Sequence, residues 1–344
     1  MIWKLANRLL ETDRLPDFVI RRGIRHLNKL RLKTENQGSE ERNQENFMRL
    51  VEFLKSSPIA VQTDKANEQH YEVPAEFYAL ALGKHKKYSS CFYPKGDESL
   101  DEAEEIMLQK TVERAELKDG MQILELGCGW GSLTLFMAER FPRAKITAIS
   151  NSSSQRKFIE KTAKDRNLKN IKIITKDMNK FQVSGKFDRI VSVEMFEHMR
   201  NYELMFQKIS SVLKPNGKMF VHIFTHKSFA YLFEDKDDTD WMARYFFTGG
   251  IMPSNHLLLY FARDFAIEKH WLVNGRHYAQ TSEHWLQNMD AKKAEIMPIF
   301  EQVYGSQALK FWSYWRIFFL AVAELFGQFD GEEWMVNHYL FTKK

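Results

Sequence analysis

Cysteine is scarce in this chain of 344 residues, which contains only Cys91 and Cys128. Two thiols far apart in the sequence are too few for the disulfide framework of a small secreted domain. They also cannot form a zinc site by themselves, and no metal site is predicted. The composition therefore favours a reducing compartment, and we expect a cytoplasmic protein.

Long hydrophobic runs are missing as well. The longest, residues 317–323, is far shorter than the ~20 apolar residues that a membrane span needs. The sequence begins MIWK, without the hydrophobic region of a secretory signal. These two observations predict a soluble chain.

Neither sign of charge dominates, and glycine and proline are not abundant. Fifty basic and 45 acidic residues leave a net charge of +5, too small to indicate a nucleic-acid partner. Sixteen glycines and eight prolines exclude collagen-like and disordered classes. Basic residues crowd the segment 21–33, which fits a membrane-surface helix or, as we favour, the solvated face of a packed helix.

Aromatic residues are the feature present in excess, at 14% of the chain. Six of the eight tryptophans lie in the last third, at Trp241, Trp271, Trp285, Trp312, Trp315 and Trp334. Such side chains provide large rigid apolar surface with a polar edge. Core packing explains any single ring more readily, but as a set they predict a helical lid over an apolar, cationic ligand.

From about residue 100, short apolar runs alternate with helical segments. Strands are predicted at 121–126, 144–149, 171–175, 189–193, 218–224, 266–273 and 335–341. Helices are predicted at 132–140, 154–167 and 202–213 between the first five strands. Repeated β-α units imply a parallel sheet with helices on both faces. The first hundred residues are predicted to be helical, with a loop or frayed helix at 34–46 as the best candidate for a linker, and a helix at 47–54.

The first strand runs into a glycine-rich loop, LELGCGWGS at residues 124–132. Glycines allow a tight turn and close approach of a ligand, and the following helix offers free N–H groups. The spacing differs from the dinucleotide fingerprint, and Ser150 and Asn151 stand where an acidic ribose ligand would be expected. A dehydrogenase is therefore disfavoured.

This loop resembles the first motif of S-adenosylmethionine-dependent methyltransferases, as found in cyclopropane fatty acid synthases and coclaurine-type N-methyltransferases. The resemblance covers nearly the whole chain, including YSS at 88–90, EMFEH at 194–198, GGIMPS at 249–254, GRHY at 275–278 and AELFG at 323–327. It implies the α/β fold of a Rossmann-like class I methyltransferase, with a mostly parallel seven-stranded sheet. The expected parts are N-terminal helices at 1–100, a cofactor-binding core at 101–225, and an aromatic-rich helical lid with the final strands at 226–344.

The resemblance also implies S-adenosyl-L-methionine as the cofactor. The residues that it assigns to cofactor binding are Ser90, Glu125, Gly127, Gly129, Asn151, Gln155, Asp177 and Met178. Glu125 would lie near the ammonium group, Asp177 near the adenine amino group, and Ser90 near the methionine carboxylate. Without the resemblance, Ser90 and Gln155 could equally be solvated surface positions.

The fourth strand ends in three titratable residues, Glu194, Glu197 and His198. In an open α/β sheet, ligands lie outside the carboxyl ends of the strands. From the residues alone, a buried ion-paired network and a catalytic base explain this cluster about equally well. The resemblance favours catalysis, with Glu197 and His198 holding and deprotonating an amine while Glu194 attracts its positive charge.

The activity that the resemblance implies is methyl transfer to the nitrogen of an aromatic cyclic amine, such as a tetrahydroisoquinoline. The expected substrate-binding residues are His222, Tyr278, Phe246 and Trp241. The expected partner is a small-molecule amine and not a nucleic acid, and the pattern leaves room for a homodimer.

Lipid cyclopropanation or methylation is the main alternative, with a membrane lipid as partner. Glu197, His222 and Tyr278 match residues that gather a bicarbonate in cyclopropane synthases. Two departures disfavour this activity, because Ser90 stands where those enzymes have cysteine and Glu194 where they tend to have glycine. A non-catalytic binding protein on the same scaffold is the third interpretation.

Overall fold

The computed structural model describes residues 9–61, 74–236 and 240–344. Residues 1–8 and 62–73 of the predicted N-terminal region and residues 237–239 of the predicted lid lie outside that description. The strands are β1 (Gln122–Leu126), β2 (Lys145–Ser150), β3 (Ile171–Thr175), β4 (Phe187–Val193), β5 (Leu213–His226), β6 (Tyr231–Leu232), β7 (Ile251–Met252), β8 (Phe265–Val273) and β9 (Trp334–Lys343).

Helices precede the sheet, connect its strands and follow it. They are α1 (Asp17–Glu35), α2 (Glu40–Ser56), α3 (Ala75–Ala81), α4 (Leu100–Arg114), α5 (Ser132–Arg140), α6 (Ser153–Asp165), α7 (Tyr202–Val212), α8 (Trp241–Tyr245), α9 (Arg276–Ala291), α10 (Lys293–Tyr304) and α11 (Ala308–Gly327). Short 3₁₀ turns, Met178–Lys180 and Phe196–His198, follow β3 and β4.

Seven strands form one sheet in the order β3-β2-β1-β4-β5-β9-β8. The first five are parallel, and β9 runs antiparallel to both of its neighbours, β5 and β8. This confirms the predicted mostly parallel seven-stranded sheet. The strand order reverses between β1 and β4, so a crevice opens at the carboxyl ends of these two strands.

The strands and connecting helices of the core lie within a few residues of their predicted bounds. The linker predicted at 34–46 is wrong for most of its length, because α1 continues to Glu35 and α2 begins at Glu40. Ser39 caps α2 by accepting a hydrogen bond from the N–H of Arg42 at 3.3 Å. The polar start of α2 is thus its solvated first turn.

The N-terminal helix α1 packs against α11. Ile20 is buried in the same hydrophobic cluster as Trp315, while Arg22 and Lys29 are exposed, consistent with the solvated basic face favoured above. Arg21 is held by carboxylates of both α9 and α11, at 2.8 Å from Oε2 of Glu283 and 3.0 Å from Oε1 of Glu324. Residues from both ends of the chain therefore share one core.

The most apolar helix, α11, is an internal element. Its buried side chains include Trp312, Trp315 and Phe319. Within the described part of the chain, no helix is both long enough and apolar enough to cross a membrane.

Candidate active site

The glycine-rich loop joins β1 to α5 through left-handed backbone. Gly127, Gly129 and Gly131 have φ values of 78°, 50° and 82°, which residues with a side chain rarely adopt. A Cβ on Gly127 would lie 2.6 Å from Cγ of Met195. The loop therefore passes close to the segment after β4 and forms a cradle in which glycine is required.

Two adjoining cavities lie along this loop. The larger, of about 190 Å³, is bounded by the loop, the segment after β4 and the lid helices. The smaller, of about 60 Å³, lies beside the ends of β2 and β3. Both are lined by Gly127, Gly129, Gln155, Met195 and His198. A ligand bound along the loop would therefore occupy both cavities.

Four residues predicted to bind the cofactor lie at the smaller cavity: Asn151, Gln155, Asp177 and Met178. The carboxylate of Asp177 accepts a hydrogen bond from the N–H of Asn179 at 2.8 Å, which caps the short turn after β3. Gln155 is buried, and its side-chain oxygen accepts from the hydroxyl of Ser150 at 2.7 Å. This end of the crevice offers amide and carboxylate groups, which suit the hydroxyls of a ribose and the edge of a purine.

Glu125 and Ser132 provide polar groups at the larger cavity. Glu125 accepts a hydrogen bond from the hydroxyl of Thr134, and burial raises the pKa of Glu125 to about 7. The hydroxyl of Ser132 is buried with no hydrogen-bond partner among the described residues. A buried unsatisfied hydroxyl and a perturbed carboxyl group together indicate a place for a polar ligand.

Residues 83–90, which we call the flap, pass beside the larger cavity, and Glu104 of α4 fixes them. The carboxylate of Glu104 accepts hydrogen bonds from the backbone N–H groups of Gly83, His85 and Lys87 at 3.1, 2.6 and 3.1 Å. Burial raises the pKa of Glu104 to about 7. A single buried side chain thus holds three residues of the flap in place.

The end of the flap places Lys87 and Ser89 at the cavity. The ammonium group of Lys87 is buried and donates to the carbonyl of Ser90 at 2.6 Å. The hydroxyl of Ser90, predicted to meet the cofactor, donates to the carbonyl of Cys91 at 3.2 Å. Ser90 is not among the residues that line the larger cavity, whereas its neighbour Ser89 is.

Glu194 follows β4 with a φ of 45°, a sparsely populated conformation for a residue with a side chain. Its Oε1 accepts from the N–H of Ser90 at 2.9 Å and lies 3.1 Å from Nε2 of His222, while Oε2 accepts from the hydroxyl of Tyr278 at 2.6 Å. Burial raises the pKa of Glu194, and Lys87, Tyr278 and the Ser90 N–H oppose that rise. The strained backbone thus points a fully hydrogen-bonded carboxylate into the cavity.

Glu197 and His198 occupy the 3₁₀ turn that follows β4. Oε1 of Glu197 accepts from the N–H of Phe224 at 2.8 Å, and its buried Oε2 has no hydrogen-bond partner among the described residues. Burial, and then the charge of Glu194, raise the pKa of Glu197 well above its usual range. His198 is half-buried, lines both cavities, and has its ring centroid 4.7 Å from that of Phe247. The structure thus places His198 at the junction of the cavities and Glu194 at the larger one, whereas Glu197 is buried and lines neither.

Sequence reasoning missed two residues behind Glu194, namely His338 and Arg114. Nδ1 of His222 lies 2.9 Å from Nε2 of His338, and Nδ1 of His338 lies 2.8 Å from Nη1 of Arg114. His222 and His338 are directly opposite each other in the pairing of β5 with β9. Only this pairing reveals their proximity, because the two histidines carry no local motif.

Aromatic rings form much of the remaining wall. The rings that line the larger cavity come from the flap, the glycine-rich loop, the end of β5, the segment 233–247, α9 and α11: Tyr88, Trp130, Phe224, Phe233, Phe247, Tyr278, Phe318 and Phe326. Phe246, predicted to bind substrate, is buried and stacks on Phe318 with 4.5 Å between centroids. Trp241 packs on Phe246 at 5.3 Å. Both therefore lie one layer behind the wall, whereas their neighbours Met242 and Phe247 line the cavity.

The sheet order, the glycine cradle between β1 and α5, and the polar groups after β3 and β4 define a class I methyltransferase. The model of the mycolic acid cyclopropane synthetase family matches residues 60–330. The chain belongs to this family, as the sequence motifs predicted.

Similarity to individual proteins separates the branches of the family. The (S)-coclaurine N-methyltransferase of Thalictrum flavum subsp. glaucum is 39% identical over 340 residues, which cover 97% of this chain and 94% of that protein. The crystal structure of coclaurine N-methyltransferase bound to N-methylheliamine and SAH is 37% identical, with a TM-score of 0.96 and complete coverage of both chains. The cyclopropane-fatty-acyl-phospholipid synthase of Escherichia coli K12 is 28% identical over 231 residues, 67% of this chain and 57% of that synthase.

Proposed function

We propose that this chain is an S-adenosylmethionine-dependent N-methyltransferase that acts on an aromatic cyclic amine of the tetrahydroisoquinoline class. The observation that carries the proposal is the position of the Glu194 carboxylate and the His198 imidazole in one cavity, between the glycine-rich loop and a wall of aromatic rings. The similarity to coclaurine N-methyltransferases over nearly the full length supports this acceptor class.

The residues present fit S-adenosylmethionine. The glycine cradle, the unsatisfied hydroxyl of Ser132 and the polar groups at Asn151 and Asp177 match the groups of an amino acid, a ribose and a purine. Glu125 would hold the ammonium end, since a nearby cation favours the ionised form of a carboxyl group whose pKa is raised. When bound, the cofactor supplies an electrophilic methyl group on a sulfonium.

The acceptor nitrogen has to lose a proton before it can attack. An aliphatic amine with a pKa near that of lysine, ~10.4, is mostly protonated at neutral pH. His198 is the proposed acceptor of this proton, since an imidazole is mostly neutral near pH 7. Glu194 attracts the ammonium form into the cavity, and Glu197 orients the imidazole. The remaining contribution of the protein to the reaction rate is to position the nitrogen next to the methyl group.

The arrangement of His222 and Tyr278 favours the amine over a lipid. Both side chains are hydrogen-bonded to the carboxylate of Glu194, so they are not available to gather a bicarbonate. The thiol of Cys91 is buried, and burial raises the pKa of that thiol above its usual range. The cytoplasmic location and the homodimer stay predictions.

Methyl transfer from radiolabelled cofactor tests the proposal. The protein is incubated with a panel of cyclic amines, with and without a fused aromatic ring, and separately with vesicles of unsaturated phospholipid. We expect the labelled methyl group to be transferred to the secondary amines that carry a fused aromatic ring. Transfer to the lipid alone would replace the proposal by the lipid activity, and cofactor binding without any transfer would favour the scaffold interpretation.

A further inference from the structure

Four side chains form a continuous row along one face of the sheet, which we call the donor chain: Arg114, His338, His222 and Glu194. Successive polar atoms lie 2.8, 2.9 and 3.1 Å apart. The residues come from the end of α4, the middle of β9, the middle of β5 and the segment after β4. His222 and His338 are completely buried, so the row links the active-site carboxylate to a half-buried arginine at the end of α4, which packs on the same face of the sheet.

The chemistry of arginine fixes the direction of every hydrogen bond in this row. A guanidinium group has only donors, so Nδ1 of His338 accepts from Arg114. Burial lowers the pKa of both His338 and His222 well below the usual range of histidine, so each ring carries one proton. His338 therefore holds its proton on Nε2 and donates it to Nδ1 of His222. His222 in turn holds its proton on Nε2 and donates to Glu194.

The opposite tautomer of His222 would be unfavourable. Its Nε2 would then present a lone pair to Oε1 of Glu194, and a buried carboxylate would lose a donor. Glu194 would have to take up a proton or turn away from the cavity. The tautomer of His222 is thus coupled to the charge of Glu194.

We propose that Arg114 and His338 are positioning residues for methyl transfer, which act through His222 to keep Glu194 ionised and oriented toward the amine. This inference rests on the proposed function for its catalytic consequence. The direction of the hydrogen bonds in the row does not depend on that function, because it follows from the contacts between the side chains.

The surroundings of the donor chain limit what else could set the charge of Glu194. Facing Glu194 are the ammonium of Lys87, the N–H of Ser90, the hydroxyl of Tyr278 and the carboxyl of Glu197. Around the other members of the row are the charge of Lys110, which acts on His338, and two rings. Phe220 lies 5.1 Å from the ring of His338 between centroids, and Trp271 lies 5.0 Å from the guanidinium of Arg114. These groups remain when the row is interrupted, so a variant at His338 removes hydrogen bonds of the row without removing a charged neighbour of Glu194.

The kinetic test compares His338→Gln with His338→Leu in the full-length protein. A glutamine amide can accept from Arg114 through its oxygen and donate to His222 through its nitrogen, whereas leucine can do neither. Loss of a donor raises the pKa of a carboxyl group. We expect His338→Leu to move the acid limb of the pH profile of kcat/KM upward by about one pH unit and His338→Gln to leave it near the wild-type position. Equal losses in both variants with an unchanged pH profile would overturn the proposal.

Nitrogen-15 NMR of histidine-labelled protein tests the row without any activity. We expect His222 and His338, identified by their loss in substituted variants, to show the pattern of a neutral ring protonated at Nε2 from pH 5 to 9. Arg114→Lys keeps a donor and should preserve this pattern for His338, whereas Arg114→Leu should change it. A wild-type His338 protonated at Nδ1 would contradict the donor chain. Intact NMR patterns in a protein that methylates no amine would refute the proposed function alone.

Discussion

Glu194 combines three properties that rarely occur at one residue: a left-handed backbone, a carboxylate with little exposure, and hydrogen bonds from three separate parts of the chain. The first two properties are unfavourable for folding unless the surroundings compensate for them. The donors around the carboxylate provide that compensation. Such a combination indicates that the negative charge is required at this point.

Replacement of Glu194 by glutamine should therefore weaken binding of the protonated amine. The amide keeps the shape of the side chain but removes the charge, and we expect KM for the amine to rise about tenfold or more, equivalent to ~1.4 kcal/mol. The fall in kcat should be smaller. Steady-state kinetics at pH 7 measure both constants, with Glu160→Gln on the exposed face of α6 as the control. An unchanged KM would show that Glu194 does not recognise the cation.

His198→Ala should remove the proposed proton acceptor. We expect kcat at pH 7 to fall by about 10² to 10⁴, the usual contribution of a general base. The deficit should shrink as the pH rises toward ~10, because the amine then loses its proton to solvent. A pH series of single-turnover rates measures this dependence. Full activity of the variant at neutral pH would exclude His198 as the base.

At the scale of elements, the flap depends on α4. Glu104→Gln keeps one carbonyl oxygen, which can still accept from Gly83 and Lys87, but it turns an amide donor toward the N–H of His85. We expect a loss of about 1–3 kcal/mol in the free energy of unfolding and weaker cofactor binding, because Lys87 and Ser89 of the flap line the cavity.

Denaturant titration and calorimetric binding of S-adenosylmethionine measure these two effects. Glu105→Gln, at the next position of the same helix, is the matched control because its side chain is 63% exposed. Wild-type stability in the Glu104 variant would mean that the flap is held by other contacts.

The elements differ in how well the sequence predicts them. The β-α units of the core were predictable because each strand is a short apolar run and each helix has one apolar face, as in β1 and α6. The linker prediction at 34–46 was wrong because the polar composition of this segment suits a loop. The start of α2 is instead determined by the cap at Ser39 and by the buried residues Phe47 and Val51. Local capping and distant packing decided that boundary, and composition did not reveal them.

At the scale of the whole molecule, Glu116 connects the end of α4 to the sheet. It lies 2.7 Å from the ammonium of Lys218 in β5 and 3.0 Å from that of Lys269 in β8. The hydrogen bond from Lys218, followed by that from Lys269, lowers the pKa of Glu116 from 4.5 to about 2. Because the folded pKa is below the unfolded one, the carboxylate stabilises the fold above about pH 4.5, and this stabilisation is lost as the pH falls toward 2.

Glu116→Gln should therefore reduce the free energy of unfolding at pH 7 by about 1 kcal/mol, as expected for a partly exposed ion-pair network. The difference from wild type should stay constant down to about pH 4.5 and then close on further acidification. Urea titrations at a series of pH values measure it, with exposed Glu113→Gln as the control. A gap that persists near pH 2 would refute the role of the ionised carboxylate.

Without the family resemblance, the candidate site was predictable only where its residues are close in sequence. Glu194, Glu197 and His198 share five positions after one strand, and the glycine loop has its own local pattern. His338 and Arg114 are remote from them and meet only through sheet pairing and the packing of α4. Phe246 and Trp241 show the same limit, since an aromatic-rich segment does not reveal which of its rings face the cavity and which lie behind it.

The position of β9 has a consequence for biosynthesis. It is the last strand in chain order, yet it lies between β5 and β8, which both leave the ribosome earlier. Until β9 is made, these two strands have unpaired edges, which in other proteins promote aggregation. His338 arrives on the same strand, so the newly synthesised protein closes its sheet and completes the row of hydrogen bonds behind Glu194 in one late event.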